Sequence, residues 1–193
     1  MGAEYELKFA GTPQAQAAIL ADFPGLWETL VMETTYYDTP SGALSARKYT
    51  LRRRLENGSS ICTLKTPGEG NLRGEWQVPG DDIRAAVPEL CKLGCPSALA
   101  AMCEEGLIAI CGAAFTRQAL VLELPGCTAE LALDRGILFG GKGEMPLCEM
   151  ELELKSGSRQ ALDSFSRDFA AEYALKSQEK SKFARALTLY KEV

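Results

Sequence analysis

Two stretches of this chain place three charged residues on one side of a strand. In Glu4-Tyr5-Glu6-Leu7-Lys8 the charges fall at positions 4, 6 and 8, and in the segment around Met150 they are Glu149, Glu151 and Glu153. Successive side chains of a strand point to opposite faces, so each set shares a face opposite Tyr5 and Leu7, or Met150 and Leu152. Residues 128–138 repeat this, with Glu130 and Asp134 against Leu131 and Leu133. Basic residues sort in the same way. Arg52 and Arg54 oppose Leu51 and Leu55, Lys65 opposes Leu64, and Arg73, Glu75 and Gln77 oppose Leu72, Trp76 and Val78, while Arg117 shares parity with Glu123. One such strand describes any half-buried antiparallel sheet. Three like charges at i, i+2 and i+4 repel one another, however, and a face that is merely soluble mixes its signs.

The acidic strands lie near both ends of the chain and the most basic ones in the middle. A barrel closed with these faces inward would hold opposed anionic and cationic walls. Carboxylate clusters are stabilised by a hard cation such as Mg²⁺ or Mn²⁺. Arginine and lysine clusters are stabilised by a polyanion, and the guanidinium fork suits phosphate oxygens. Together they describe a metal–polyphosphate site. No G-x-x-x-x-G-K-[ST] loop is present, so phosphate would be held by side chains. Gly140-Gly141-Lys142-Gly143 follows no strand-to-helix pattern and reads as a turn.

The chain has 193 residues and contains no histidine. That absence removes Ser-His-Asp and Cys-His nucleophile systems, most catalytic zinc sites and imidazole acid–base chemistry. A hydrophobic share of 46%, a charged share of 24% and a net charge of −5 describe one globular domain over residues 1–193, with no nucleic-acid partner implied. No apolar leader or membrane-length run is found. Seven cysteines at irregular spacing, with no C-x-x-C, read as reduced thiols of a cytoplasmic protein.

The elements that would position the charged faces follow from local signals. Thr12 and Pro13 open a helix over residues 13–22. Strands are expected at 4–9, 34–37, 49–55 and 60–66, the last two joined at Asn57-Gly58, a hairpin turn. Further strands are expected at 72–78, 115–124, 128–138 and 148–154, short helices within 83–102, and helices at 159–173 and 180–190. About eight strands with helices around them imply an α+β protein built on an antiparallel barrel.

In order, these residues resemble the CYTH superfamily, also called triphosphate tunnel metalloenzymes, over essentially the whole chain. Glu4-Tyr5-Glu6-Leu7-Lys8 is similar to the family's E-x-E-x-K. Tyr36-Tyr37-Asp38-Thr39-Pro40, Leu51-Arg52-Arg53-Arg54 with Glu56-Asn57-Gly58, Thr63-Leu64-Lys65, Arg73-Gly74-Glu75, Leu133-Asp134-Arg135-Gly136, Glu149-Met150-Glu151-Leu152-Glu153 and Ser181-Lys182-Phe183-Ala184-Arg185 resemble its later motifs. Pro146-Leu147-Cys148 looks closest to bacterial inorganic triphosphatases. Gln77 stands where many members carry a further acid.

The resemblance implies an eight-stranded antiparallel β-barrel forming a tunnel, with helices packed outside. It implies metal-dependent hydrolysis of a triphosphate, inorganic tripolyphosphate first, by a monomer or homodimer. Arg52, Arg54, Lys65, Arg73, Arg117, Lys182 and Arg185 would hold the phosphate chain. Glu4, Glu6, Glu149, Glu151 and Glu153 would bind Mg²⁺ or Mn²⁺, joined by Glu75, Glu130 and Asp134, while Glu4, Glu6 and Lys8 would act at the reacting phosphorus. A class IV adenylate cyclase, a thiamine triphosphatase and a non-catalytic polyphosphate-binding module stay open beside this reading. With no histidine to titrate, activity is expected to rise into the alkaline range as the attacking water ionises.

Overall fold

The structure is a computed structural model that describes residues 2–68, 72–141 and 143–191; the side chains at 2–4, 72–73 and 191 are outside what it describes. The elements run β1 (Gly2–Ala10), α1 (Pro13–Asp22), β2 (Glu28–Asp38), α2 (Ala43–Ala46), β3 (Thr50–Glu56), β4 (Ser59–Pro67), β5 (Leu72–Pro79), α3 (Ile83–Lys92), α4 (Ala98–Cys103), β6 (Ile108–Leu124), β7 (Cys127–Gly140), β8 (Gly143–Gly157), α5 (Arg159–Glu172), β9 (Lys176–Ser177) and α6 (Lys182–Lys191). This is an α+β protein with one large antiparallel sheet.

The strand order is β5-β4-β3-β2-β6-β7-β8-β1-β9. β1 makes a further antiparallel pairing with β5 through Gly2↔Glu75, Ala3↔Gly74, Glu4↔Arg73 and Tyr5↔Leu72. Beyond those four pairs its edge is taken over by β9, at Phe9↔Ser177 and Ala10↔Lys176. The expectation of an eight-stranded antiparallel barrel is thus corrected to one nine-stranded antiparallel sheet in which β1 and β5 pair at those four positions. Among the described residues β5 begins at Leu72, the register partner of Tyr5, so no described residue of β5 stands opposite the second half of β1.

Local chemistry accounts for the elements. Thr12 accepts from the Ala15 amide at 3.1 Å and Pro13 sits in the first turn, so α1 starts where the sequence predicts. Asn57 and Gly58 both have positive φ, at 46° and 86°, and the Asn57 side chain also accepts from the Val31 amide at 2.9 Å, tying the hairpin to β2. The Asp38 carboxylate accepts from the amides of Thr39, Leu44 and Ser45 at 2.7, 2.9 and 3.1 Å, which gives the Tyr-Tyr-Asp-Thr-Pro turn its structural content.

Three strands begin five or more residues before the expected point. β2 begins at Glu28 because Leu30 and Met32 lie on the charged face while Val31 is exposed, an inversion that hides the alternation. β6 begins at Ile108 because its first half, Ile-Ala-Ile-Cys-Gly-Ala-Ala, is apolar on both faces. β8 likewise starts five residues early, at Gly143.

Two apolar layers cover the outward faces. α3 and α4 pack on Leu51, Leu64, Trp76 and Val78 of β3–β5. α1 and α5 pack on Phe9, Leu131, Leu133, Met150 and Leu152, through Ile19, Leu162 and Phe169. The expectation that helices lie outside does not hold for α6. It packs, through Phe183, Ala186 and Leu187, against Met32, Tyr36, Ala113, Phe115 and Leu138, which lie on the same strand faces as the charges. That end of the charged face has turned apolar and is covered by the helix. No helix among the described residues is long and apolar enough to cross a membrane, and all seven cysteines are free.

Candidate active site: a cavity with sorted charges

Strand alternation delivers the charged residues to one cavity of about 380 Å³, to which β1–β8 and α6 all contribute side chains. Seven carboxylates and seven cations line it. Lys65 and the pair Arg52 and Arg54 come from adjacent strands, since Arg52 is the register partner of Thr63 and Thr50 that of Lys65. The acids come from the other part of the sheet, where Glu130 pairs in register with Glu153, and Asp134 with Glu149. β1 runs beside them, with Glu6↔Glu153 and Lys8↔Glu151.

Arg52 and Arg54 stand apart from the other cations. Among the described residues no carboxylate pairs with either guanidinium, and the Nε atom of each is buried without a hydrogen-bond partner. Burial, followed by the charges of Arg52 and Arg117, lowers the pKa of Arg54 to about 10, which still leaves it charged at neutral pH. Tyr36, the register partner of Arg52, lies beside them with its ring 5.1 Å from that of Phe183; burial raises its pKa.

A second group is closed. The Lys182 ammonium lies 2.7 Å from Asp134 Oδ2 and 2.8 Å from Glu151 Oε1, and it contacts Glu149 Oε1. Arg117 donates to Asp134 through Nε (2.7 Å) and Nη2 (2.8 Å), and to Glu151 through Nη2. Arg185 donates to Glu149 Oε2. Asp134 and Glu149 have no exposed surface. Burial alone would raise the pKa of Glu151, but Lys182 and Arg117 outweigh it and hold the carboxyl well below the usual range. Burial would likewise lower Lys182; Glu151, Asp134 and Glu149 instead hold it above the usual lysine range. Burial raises Glu149 despite the two cations on it.

The remaining expected residues fall into smaller sets. Lys8 Nζ is 2.9 Å from Glu6 Oε1, and Lys65 Nζ is 3.1 Å from Glu75, which also accepts from Gln77. Glu130 and Glu153 share Lys155, at 3.3 and 3.1 Å. Glu4 and Arg73 are register partners on β1 and β5, and their side chains lie outside the described residues. The structure therefore gathers Glu6, Lys8, Arg52, Arg54, Lys65, Glu75, Arg117, Glu130, Glu151, Glu153 and Lys182 around one space, and sets Asp134, Glu149 and Arg185 behind it.

The charged cavity residues Glu28, Glu56 and Lys155, with Tyr36 beside Arg52, were not anticipated as site residues. Glu56 shares parity with Arg52 and Arg54 and was legible by that rule. The β7–β8 register passes from Thr128↔Ser156 to Ala129↔Leu154, so Lys155 is the extra residue of a bulge. Gln16 of α1 was also missed; its buried amide donates to the backbone carbonyls of Asp134 (3.0 Å) and Glu149 (3.2 Å).

Known proteins share this arrangement of strands. The chain is 31% identical over 194 residues to the inorganic triphosphatase of Haemophilus influenzae, covering 96% of this chain and 54% of that protein, so it spans about half the relative's length. A Pyrococcus horikoshii protein of solved structure superposes with a TM-score of 0.67 at 19% identity, covering 96% of this chain and 98% of its own. A candidate adenylyl cyclase from Hippeastrum, described as having a dominant triphosphatase activity, does so with a TM-score of 0.66 at 16% identity, over 97% and 96%. Both likenesses are of fold. The profile of the CYTH domain matches residues 2–187, and the chain belongs to the CYTH domain family.

Proposed function

We propose that this protein hydrolyses a triphosphate, inorganic tripolyphosphate foremost, with Mg²⁺ or Mn²⁺, inside a tunnel bounded by β1–β8. The observation that carries the reading is the contrast between the two basic groups. Arg117, Lys182 and Arg185 are already engaged by carboxylates, whereas Arg52, which is buried, and Arg54, which is half-buried, have no carboxylate partner among the described residues. Two unneutralised guanidinium groups on adjacent positions of one face favour a multiply charged anion. Similarity to an inorganic triphosphatase over most of this chain points to the same class of substrate.

The donor set suits a hard divalent cation. The cavity offers carboxylate oxygens at Glu6, Glu130 and Glu153 and no thiolate, and the ammonium groups of Lys8 and Lys155 that now pair with them come from half-exposed or cavity-facing side chains able to turn towards a phosphate. Glu6 and Glu153, which are register partners, would hold the ion together with Glu4, with Glu130 and Glu75 behind them. When bound, the ion supplies charge neutralisation at the phosphate oxygens and polarises the attacking water.

Arg52, Arg54, Lys65 and Arg73 would bind the phosphate chain, and Lys8 would stabilise the charge that develops on the transferred group. Glu6, 2.9 Å from Lys8, would orient the water in line with the leaving oxygen. Phosphoryl transfer needs little covalent help, so positioning and charge account for most of the rate. Tripolyphosphate, ATP and thiamine triphosphate, each given with Mg²⁺ or Mn²⁺, test the proposal: phosphate should be released fastest from tripolyphosphate. Formation of cyclic AMP from ATP, with no phosphate from tripolyphosphate, would replace it with the cyclase reading.

A further inference from the structure

Asp134, Glu149 and Glu151 bring one oxygen each to within 4.8 Å of the others, a spacing that could enclose a metal ion. Their surroundings argue for a different occupant. An ammonium group has three N–H donors and no acceptor. The Lys182 ammonium meets three carboxylates, one oxygen from each of Asp134, Glu149 and Glu151. The other oxygens are taken as well: Asp134 Oδ1 by Arg117, Glu149 Oε2 by Arg185, and Glu151 Oε2 by Arg117. Between them, the three basic side chains place a cation on each of the six carboxylate oxygens, and Lys182 is 7% exposed.

We infer that Lys182 is the resident cation of this cluster, filling with an ammonium the place a divalent ion would otherwise take. Divalent-ion binding in the native protein is then confined to the Glu6–Glu153 side of the cavity, an inference that rests on the metal-dependent reading above. The same contacts fasten α6 over its end of the cavity, because Lys182 and Arg185 are both residues of that helix. Removing the ammonium leaves three carboxylates facing one another across a lysine-sized gap, with two guanidinium groups outside it. Oxygen donors in that arrangement suit Mn²⁺ or Mg²⁺.

The test counts ions directly, by Mn²⁺ electron paramagnetic resonance and equilibrium dialysis on the intact chain. Lys182→Met should bind one more Mn²⁺ per chain than the wild type, whereas Lys182→Arg, which keeps a cation in place, should bind no more than the wild type does. In the wild type, Asp134→Asn should leave Mn²⁺ affinity within about threefold. Lys182→Met should also gain about 5–10 °C in melting temperature more than the wild type when Mn²⁺ is raised to a hundredfold excess over Kd. Equal ion counts in Lys182→Met and wild type, or a Lys182→Met protein left unfolded in both EDTA and Mn²⁺, overturns the inference. A tenfold loss of Mn²⁺ affinity in Asp134→Asn does the same, by placing a native ion on the cluster. A wild type that releases no phosphate from tripolyphosphate, yet binds one Mn²⁺ fewer than Lys182→Met, sinks the hydrolase reading and upholds the resident-cation one.

Discussion

Arg117 grips Asp134 through two parallel hydrogen bonds, Nε to Oδ1 at 2.7 Å and Nη2 to Oδ2 at 2.8 Å, at a carboxylate with no exposed surface. Such a fork supplies geometric specificity as well as energy. Breaking a buried pair by neutralising one partner strands the other charge, at a cost of about 3–5 kcal/mol. Asp134→Asn should therefore lower the unfolding free energy measured by urea denaturation by that amount. Arg117→Lys, which loses the fork, should destabilise nearly as much. If Asp134→Asn unfolds within about 1 kcal/mol of the wild type, the pair is not structural.

Arg54 presents the opposite case. Its pKa, lowered to about 10 by burial and by Arg52 and Arg117, means that the folded chain tolerates this charge rather than gaining from it. The cost is present below pH 10 and fades as the group deprotonates above it. Arg54→Met should consequently raise the melting temperature without substrate by about 2–4 °C for each kcal/mol recovered. It should also lower kcat/KM for tripolyphosphate about 10- to 100-fold, the equivalent of one charge-assisted hydrogen bond. Thermal melts with and without tripolyphosphate, beside phosphate-release kinetics, separate the two effects. A variant that is less stable and equally active contradicts the assignment.

Gln16 reaches the same region from outside, through the carbonyls of Asp134 and Glu149. Gln16→Leu keeps the volume and leaves both acceptors short of a donor, a loss of about 1–3 kcal/mol. Hydrogen exchange should rise locally along β7 and β8 around these two residues. Exchange unchanged there, with stability intact, would mean that another donor replaces the amide.

The sequence pattern made the walls legible because alternation is a local property. Arg52, Arg54 and Lys65, or Glu151 and Glu153, reach the cavity by parity alone. Parity failed where the backbone breaks step, as at Lys155 in the β7–β8 bulge. It also carried no warning where one face changes character along a strand. Phe115 and Arg117 share a face, yet α6 covers the former and the cavity receives the latter. Which cations would be spent on internal carboxylates was not legible, because Arg52 and Arg117 look alike in sequence and differ only in what lies across the sheet.

Removal of metal tests the opposite side of the cavity. Glu6 is 2.9 Å from Lys8 and is the register partner of Glu153, and neither acid belongs to the closed cluster. Glu6→Gln should abolish turnover while leaving the chain folded, with a lowered melting temperature because the Lys8–Glu6 pair it breaks is largely shielded, at 9% and 14% side-chain exposure. EDTA should silence the wild type, and Mg²⁺ or Mn²⁺ should restore it. Full activity in Glu6→Gln would remove this residue from the proposed metal set.

The pH dependence of stability follows from Glu151 and Lys182. Glu151 is held below its unfolded value, about 4.3 for glutamate. Its contribution is therefore complete above that value and is lost as pH falls towards the folded one. Lys182 is held above its unfolded value, about 10.4 for lysine, so its contribution is complete below that pH and is lost as pH rises towards the folded value. The contribution of these two groups to the melting temperature should be level between about pH 5 and pH 10 and should fall on both sides, while the buried thiols of Cys95, Cys103 and Cys111, held above their usual value by burial, add a decline of their own above about pH 8.5. Glu151→Gln removes the carboxyl that titrates, so its acid limb should be shallower than that of the wild type, even though the variant is less stable throughout. Lys182→Met should flatten the alkaline limb in the same way. Limbs of unchanged steepness in both variants would show that other groups govern the pH response and that the contacts among Lys182, Glu151 and Arg117 do not set the stable range.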